Sequence, residues 1–196
     1  MKKVALVILA AGNSSRMEND IKQLLPWNKT TLLEHTIKEA LSSEADAVFV
    51  VLGANYEKIN SKLNEENYSI INNRNWSIGL GSSIAFAVNH INKTIEKCEV
   101  VLIVLADQPF LGMEHYNSLI EAYKKSSEKL AATEYGTKKG VPAIFGKKYF
   151  DKLTNLEEDF GAKHILATVN ASVIKGNTTD VDTIEVYNDL FRNLKL

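Results

Sequence analysis

Cysteine is almost absent from this chain, with Cys98 the only one. A lone cysteine forms no internal disulfide and gives a zinc site no second thiolate, so neither staple is expected and a reducing cytoplasm suits the sequence. Charge of either sign is not in excess: 23 Lys and Arg stand against 24 Asp and Glu, for a net charge of -1. General nucleic-acid binding draws on a basic surplus, which is missing here. A small phosphorylated ligand held by two or three placed cations stays open. No apolar run approaches the roughly 20 residues of a membrane span. The four histidines (His35, His90, His115 and His164) include no H-x-x-x-H pair. The start, Lys2-Lys3 followed by Val4 to Ala11, imitates a short export signal. Its apolar stretch is short and Gly12-Asn13-Ser14-Ser15-Arg16 follows at once, so a buried first strand is the expectation.

What is present is ordinary for a globular chain: 196 residues, 45% hydrophobic and 24% charged. That length buries about 70% of the surface of the unfolded chain, enough for a core without a staple. With no repeat, low-complexity tract or Pro/Gly-rich linker, residues 1–196 read as one domain. Continuous apolar runs recur at Val4–Leu9, Ala47–Leu52, Val100–Leu105 and, less strongly, Leu130–Thr133. Runs of this length without polar alternation predict strands covered on both faces, hence a parallel sheet. Leu32, Leu33, Thr36, Ile37, Ala40 and Leu41 share one helical face, and so do Ile84, Ala85, Val88 and Ile91, and Tyr116, Leu119, Ile120 and Tyr123. Strand and helix in alternation predict a layered α/β fold with right-handed crossovers. Asp20 to Thr30 reads as a long irregular loop, and Thr133–Phe145 as a hairpin turning at Tyr135–Gly140, which adds antiparallel strands. Ser172–Lys175 is read as an edge strand and Thr183–Leu194 as a last helix.

Ligands of open α/β sheets bind beyond the carboxyl ends of the strands. The first run leads into Leu9-Ala10-Ala11-Gly12-Asn13-Ser14-Ser15-Arg16-Met17, then Lys22. Small residues and Gly12 allow backbone N–H groups to approach a phosphate, with Ser14, Ser15, Arg16 and Lys22 adding donors and charge. An ordinary strand-to-loop turn with solvated cations accounts for the same residues. Neither G-x-G-x-x-G nor G-x-x-x-x-G-K-[ST] is present, which argues against a dinucleotide-binding redox enzyme and a P-loop ATPase. Asp107, just past the third strong run, suits Mg²⁺, which favours one or two carboxylates plus substrate phosphates; it reads equally as a cap for the helix of Met113–Tyr123. Asp180 and Asp182 are further carboxylates, though Asp182 before Thr183 also reads as an N-cap. Gly79-Leu80-Gly81-Ser82-Ser83 opens a helix, either as an anion site or with Ser82 or Ser83 as a plain N-cap. Trp76 stacks on a base or closes the loop.

Together these segments resemble the MobA-like nucleotidyltransferases, and most closely the branch of molybdenum cofactor cytidylyltransferase. The pattern L-A-A-G-x-S-x-R-M-G, a following lysine and L-L-P match Leu9–Met17, Lys22 and Leu24-Leu25-Pro26. N-x-x-W-x-x-G-x-x-x-S matches Asn73, Trp76, Gly79 and Ser83; D-Q-P matches Asp107-Gln108-Pro109; and G-x-P-x-x-F matches Gly140-Val141-Pro142 through Phe145. G-D-x-G-A matches Asp159, Gly161 and Ala162, and D-x-D-T-P-E-D matches Asp180-Val181-Asp182-Thr183. The segments keep the family's order across nearly the whole chain.

The resemblance implies a three-layer α/β/α Rossmann-like fold of the nucleotide-diphospho-sugar transferase kind, with a mostly parallel central sheet and a small antiparallel addition. It implies Mg²⁺-dependent transfer of a nucleotidyl group from an NTP to the terminal phosphate of molybdopterin, with release of pyrophosphate. Catalysis would fall to Arg16, Lys22 and Asp107, and metal binding to Asp107, Asp180 and Asp182. The nucleotide would lie on Leu9, Ala10, Ala11, Gly12, Ser14, Asn73, Gly79, Ser82 and Ser83, and the phosphate acceptor on Gln108, Gly140, Pro142, Asp159 and Gly161. Guanylyl-transferring relatives tend to read L-A-G-G where this chain has Ala10-Ala11-Gly12, so CTP is preferred to GTP. A molybdoenzyme or its chaperone is a further implied partner; nucleic acid and membrane are not. The chain departs from the family patterns at Glu18, Val141, Glu158 and Ile184, and Val141 bears most on the acceptor. Another phosphorylated acceptor, or a non-catalytic maturation role, stays open beside this reading.

Overall fold

The computed structural model describes residues 3–17, 20–64, 66–156 and 161–194. The first apolar run forms β1 (Lys3–Leu9), followed by a hairpin of β2 (Pro26–Trp27) and β3 (Thr30–Thr31) within the stretch expected to be irregular. Helix α1 (Leu32–Leu41) starts at Thr31, which caps it reciprocally: Glu34 N–H donates to the Thr31 hydroxyl and Thr31 N–H to the Glu34 carboxylate. Then come β4 (Ala47–Leu52), α2 (Tyr56–Asn60), β5 (Ser69–Asn72), α3 (Leu80–Thr94), β6 (Cys98–Leu105) and α4 (Met113–Lys125). The remainder is β7 (Leu130–Tyr135), β8 (Lys138–Gly146), α5 (Phe150–Thr154), α6 (Lys163–Thr168), β9 (Ser172–Ile174) and α7 (Ile184–Leu194).

The sheet runs in the order β5-β4-β1-β6-β8-β7-β9. Strands β5, β4, β1 and β6 are mutually parallel, β8 runs against β6 and β7, and β9 is parallel to β7. The antiparallel addition is thus the return strand β8, inserted by the tight turn at Gly136-Thr137. Strand β1 lies between β4 and β6, and helices cover both its faces. Ala5, Val7 and Leu9 pack with α3, α5 and α6, while Val4, Leu6 and Ile8 pack with α1 and α4. This double coverage is why the run shows no polar alternation. Burying a side chain such as Leu6 or Ile8 contributes roughly 1.5–3 kcal/mol.

A third cluster lies outside the two main layers: Met17, Leu25, Trp27, Leu32, Val181 and Tyr187, joined by Phe110, Ile184, Leu190 and Phe191. It fastens α7 to the hairpin, and the Tyr187 hydroxyl donates to Pro26 O at 2.7 Å. The loop carrying Arg16 and the segment carrying Asp182 are therefore held together by apolar packing beneath them.

Candidate functional site

At the carboxyl edge of the sheet, Leu9 lies opposite Val51 and Leu105. The chain beyond it is pinned by three backbone bonds: Ala10 N–H to Val51 O, Ala106 N–H to Leu9 O and Ala54 N–H to Ala11 O. At Gly12 the loop leaves the sheet, and a Cβ there would meet nothing within 4 Å. The amides of Gly12 and Asn13 make no hydrogen bond among the described residues, so both N–H groups are available to an anion. Close approach is needed one strand over. A Cβ on Gly53 would lie 2.5 Å from Trp76 Cβ and 2.9 Å from Ala11 O.

The shape of this loop is set by a residue that sequence reasoning missed. Gln23, 4% exposed, donates from Nε2 to Ala10 O at 2.9 Å and Gly12 O at 3.1 Å. Its Oε1 accepts from the Ser14 hydroxyl, and Ser14 Oγ in turn accepts from Lys22 N–H. Ser14 has φ 57°, a left-handed conformation that this side-chain network holds in place. The hydroxyl proton of Ser14 is thereby committed to Gln23 and is not free for a phosphate. A polar residue between Lys22 and the apolar Leu24-Leu25 was the available signal.

Four charged side chains converge on the same cleft. Lys22 Nζ is 2.6 Å from Asp107 Oδ2 and 3.5 Å from Asp182 Oδ1, and Arg16 reaches Asp182 Oδ2 at 3.3 Å. Asp107 Oδ1 is buried and has no hydrogen-bond partner. Hard carboxylate oxygens, one of them buried and unpaired, facing a cation position suit a divalent ion such as Mg²⁺ or Mn²⁺. No group of three or more His, Cys, Asp or Glu gathers as a metal site among the described residues, so the candidates are the pair Asp107 and Asp182.

Asp180 is placed elsewhere by its backbone. Val181 N–H donates to Asp107 O at 2.8 Å, and the Val181 side chain is fully buried. The carboxylates on either side of it part company: Asp182 lines the cleft of about 390 Å³ beside the β1 loop, and Asp180 lines a neighbouring cavity of about 820 Å³. Leu80 and Leu105 form the wall shared by the two. In the second cavity Gln108 Nε2 donates to Asp180 Oδ1 at 2.7 Å and to the Tyr135 hydroxyl, which donates to Val141 O at 2.5 Å. Gln108 is 2% exposed, and its Oε1 is buried with no partner. Burial pushes the Asp180 carboxyl above its ordinary range, and Asp107 and Asp182 add to this. The Tyr135 hydroxyl is pushed up to about 12, again by burial first.

Leu9, Ala10, Ala11, Gly12, Ser14, Arg16, Lys22, Gly79, Ser83, Asp107 and Asp182 all line the first cleft, as does Trp76, half-buried between cleft and core. Asn73 and Ser82 do not. Asn73, 2% exposed, donates to the Ser83 and Ser82 hydroxyls, and Ser82 donates to Asn75 O and Gly79 O; both brace the start of α3. Neither serine is the N-cap, because α3 begins at Leu80 after Gly79, whose φ of 130° only glycine adopts readily. Gln108 and Gly140 line the second cavity, whereas Pro142 and Gly161 lie outside its lining. Pro142 instead accepts on its carbonyl from Thr133, and Gly161 packs beneath Leu80. Asp159 lies outside the described residues. Asp107 is no helix cap: Gly112 precedes α4, and Glu39 of α1 accepts from Met113 N–H. The cap of α7 is Thr183, which accepts from Val186 N–H, and this leaves Asp182 to the cleft. Tyr135, Lys138 and Lys163 join the second cavity unforeseen, since the hairpin and α6 meet only in three dimensions.

A mostly parallel sheet with one reversed strand and a cleft over the end of β1 is the nucleotide-diphospho-sugar transferase fold. The model of the MobA-like NTP transferase domain matches residues 6–173, and the chain belongs to that family. It is 34% identical over 124 residues to nicotine blue oxidoreductase of Paenarthrobacter nicotinovorans, a match covering 60% of this chain and 56% of that protein. The chain thus spans little more than half of that relative's length. It is 28% identical over 198 residues to purine catabolism protein PucB of Bacillus subtilis, covering 93% of each. The crystal structure of Rv0371c from Mycobacterium tuberculosis superposes with a TM-score of 0.82 at 23% identity, over 97% of this chain and 98% of that one. The same mycobacterial protein is known in a complex with manganese, superposing at 0.80 with 22% identity. At these identities the structural likeness is one of fold.

Proposed function

We propose that this nucleotidyltransferase moves CMP from CTP to the terminal phosphate of molybdopterin, with Mg²⁺ and with release of pyrophosphate. The observation that carries the reading is the pair of adjoining cavities: one holds the β1 loop with Arg16, Lys22, Asp107 and Asp182, the other opens beside it across Leu80 and Leu105. The amides of Gly12 and Asn13, with Arg16 and Lys22, bind and orient the triphosphate. Asp107 and Asp182 would hold the divalent cation, which supplies neutralisation of charge on the phosphates. Manganese in the mycobacterial relative supports a cation of this class. The chain's residues place the acceptor phosphate in line with the α-phosphorus. A bond from that phosphate oxygen to the α-phosphorus forms, the bond to the β-phosphate oxygen breaks, and pyrophosphate departs with the electron pair. The acceptor phosphate is already anionic at neutral pH, so no side chain has to remove a proton, and positioning with charge stabilisation suffices.

The preference for CTP rests on Ala10-Ala11-Gly12, and that for molybdopterin on family membership. The name of one relative is that of an oxidoreductase. The loop after β1 has one of the three glycines of a dinucleotide fingerprint, which favours a triphosphate in the cleft. A second reading keeps the transfer and changes the acceptor to another phosphorylated compound. Val141 favours it, because this residue offers the second cavity an apolar side chain and its carbonyl is already taken by Tyr135. Pyrophosphate release with each of the four NTPs, with and without molybdopterin, tests both. Release that needs CTP and molybdopterin together is the expected result. Release with another phosphorylated acceptor alone establishes the second reading, and nucleotide binding without release under every condition overturns both.

A further inference from the structure

We infer that Lys22 is the resident cation of the divalent-metal position, so that metal and triphosphate bind interdependently, each favouring the other through the movement of one ammonium group. The inference rests on the nucleotidyltransferase reading and concerns the order in which its site is filled. Lys22 Nζ touches both carboxylates of the candidate metal pair, at 2.6 Å and 3.5 Å, and its side chain is only 17% exposed. Among the described residues Arg16, the other cation of the cleft, pairs with Asp182 and not with Asp107, and its side chain is 68% exposed. Lys22 therefore spans the pair, whereas Arg16 lies at its edge.

The ammonium offsets about half the charge of the two carboxylates, and any divalent ion that takes the same oxygens has to expel it. Two positive charges cannot share the contact, because their repulsion grows as their separation falls to a few Å. An expelled ammonium needs another anion within reach, and the β1 loop supplies the place for one: the amides of Gly12 and Asn13, unbonded among the described residues, line the same cleft and can receive phosphate oxygens. Lysine suits this exchange better than arginine, since its charge is compact and its four-carbon stem swings about a fixed backbone. That backbone is fixed here by Lys22 N–H on Ser14 Oγ, at 3.0 Å. Asp107 Oδ1 is left buried and unpaired even with the lysine in place, so the pair is not saturated by its internal cation. By linkage, whatever factor the triphosphate adds to metal affinity, the metal returns to triphosphate affinity.

The test measures binding, not turnover. Mn²⁺ alone is titrated into wild-type protein and into Lys22→Met, with Lys22→Gln as a second variant, following free Mn²⁺ by electron paramagnetic resonance. Removal of the resident ammonium is expected to tighten Mn²⁺ binding by at least about tenfold, which is about 1.4 kcal/mol. Arg16→Met is expected to tighten it by less than about threefold, and Asp107→Asn to abolish it. In ¹⁵N-lysine spectra of the wild type, inorganic triphosphate added without metal is expected to shift the Lys22 Nζ resonance. Unchanged Mn²⁺ affinity in both Lys22 variants overturns the inference. So does an equal gain in Arg16→Met, because the effect would then be one of general charge and not of occupancy. The Mn²⁺ titration needs no nucleotide, so it stands or falls separately from the pyrophosphate assay.

Discussion

The two cavities at the carboxyl edge of the sheet are built in opposite ways. The cleft over β1 comes in its larger part from residues 9–17 with Lys22 and Gln23, closed by the start of α3, Asp107 and Asp182, and its charges are locked to one another. The neighbouring cavity is larger, about 820 Å³ against about 390 Å³, and is assembled from the β7–β8 hairpin, the start of α6, Gln108 and Asp180. Its walls at Leu80, Val141 and Leu166 are apolar, and its polar floor is a short relay from Asp180 through Gln108 to Tyr135. A triphosphate is the same object whatever base it carries, and a continuous loop can be shaped around it. A phosphate acceptor varies in its body, and a cavity made of separate segments can vary without disturbing the loop.

The comparison breaks outright if the charged cleft is dispensable. Asp107→Ala and Lys22→Ala are each expected to lower pyrophosphate release by about 10²–10³-fold or more, as happens when one preorganised electrostatic contact to a transition state is removed. Circular dichroism should show an intact fold, since both side chains are part-exposed and neither belongs to an apolar cluster. Wild-type turnover by either variant would mean that this cleft does not hold the reacting phosphates.

A finer cut separates the loop's shape from its charge. Gln23→Leu removes no charge, yet it strips the partner from Ala10 O and Gly12 O and frees the Ser14 hydroxyl. Leaving such groups unsatisfied costs about 1–3 kcal/mol. The expected result is a rise of about 10–100-fold in KM for the nucleotide, with KM for the phosphate acceptor unchanged. Equal rises in both would show that the two cavities form one mechanical unit.

The same contrast explains what could be read in the sequence. Strands β1, β4 and β6 and helices α1, α3 and α4 were legible because burial on two faces or on one helical stripe leaves a periodic trace. The β1 loop was legible because its residues are adjacent in the chain. Asn73 and Ser82 were placed on the nucleotide because a motif does not reveal which of its members touch ligand and which brace the backbone; here both brace α3. Gln23 escaped because its work is done on two backbone carbonyls, which carry no residue signature. Tyr135, Lys138 and Lys163 escaped because a hairpin and a helix, separated by the whole of α5, meet only in the folded chain. Asp180 and Asp182, read as one metal-binding pair, line different cavities because the segment between β9 and α7 is irregular, with Val181 buried and its N–H held on Asp107 O, and an irregular segment carries no periodicity from which side-chain directions can be read.

That separation predicts an asymmetry between stability and function at Asp180. Its carboxyl is raised above the ordinary range by burial first, then by Asp107 and Asp182, against the opposing effects of the Gln108 hydrogen bond and Lys22. A carboxyl whose pKa is higher in the folded state than in the unfolded one favours folding while protonated. That contribution is complete below the unfolded value and is lost as pH rises through the folded one. At neutral pH the charged Asp180 therefore opposes folding, while an asparagine would still accept from Gln108 Nε2 without the charge. Asp180→Asn is expected to melt higher than wild type at neutral pH, by no more than the roughly 4 °C that 1 kcal/mol brings to a chain of this size. The gap should close as the pH falls below the carboxylate range, where both proteins are neutral at this position. KM for the phosphate acceptor should rise in the same variant while KM for the nucleotide holds, because the carboxylate faces the second cavity alone. A neutral-pH melting temperature below that of wild type would instead make Asp180 a strut of the fold, and the division of labour across Val181 would go with it.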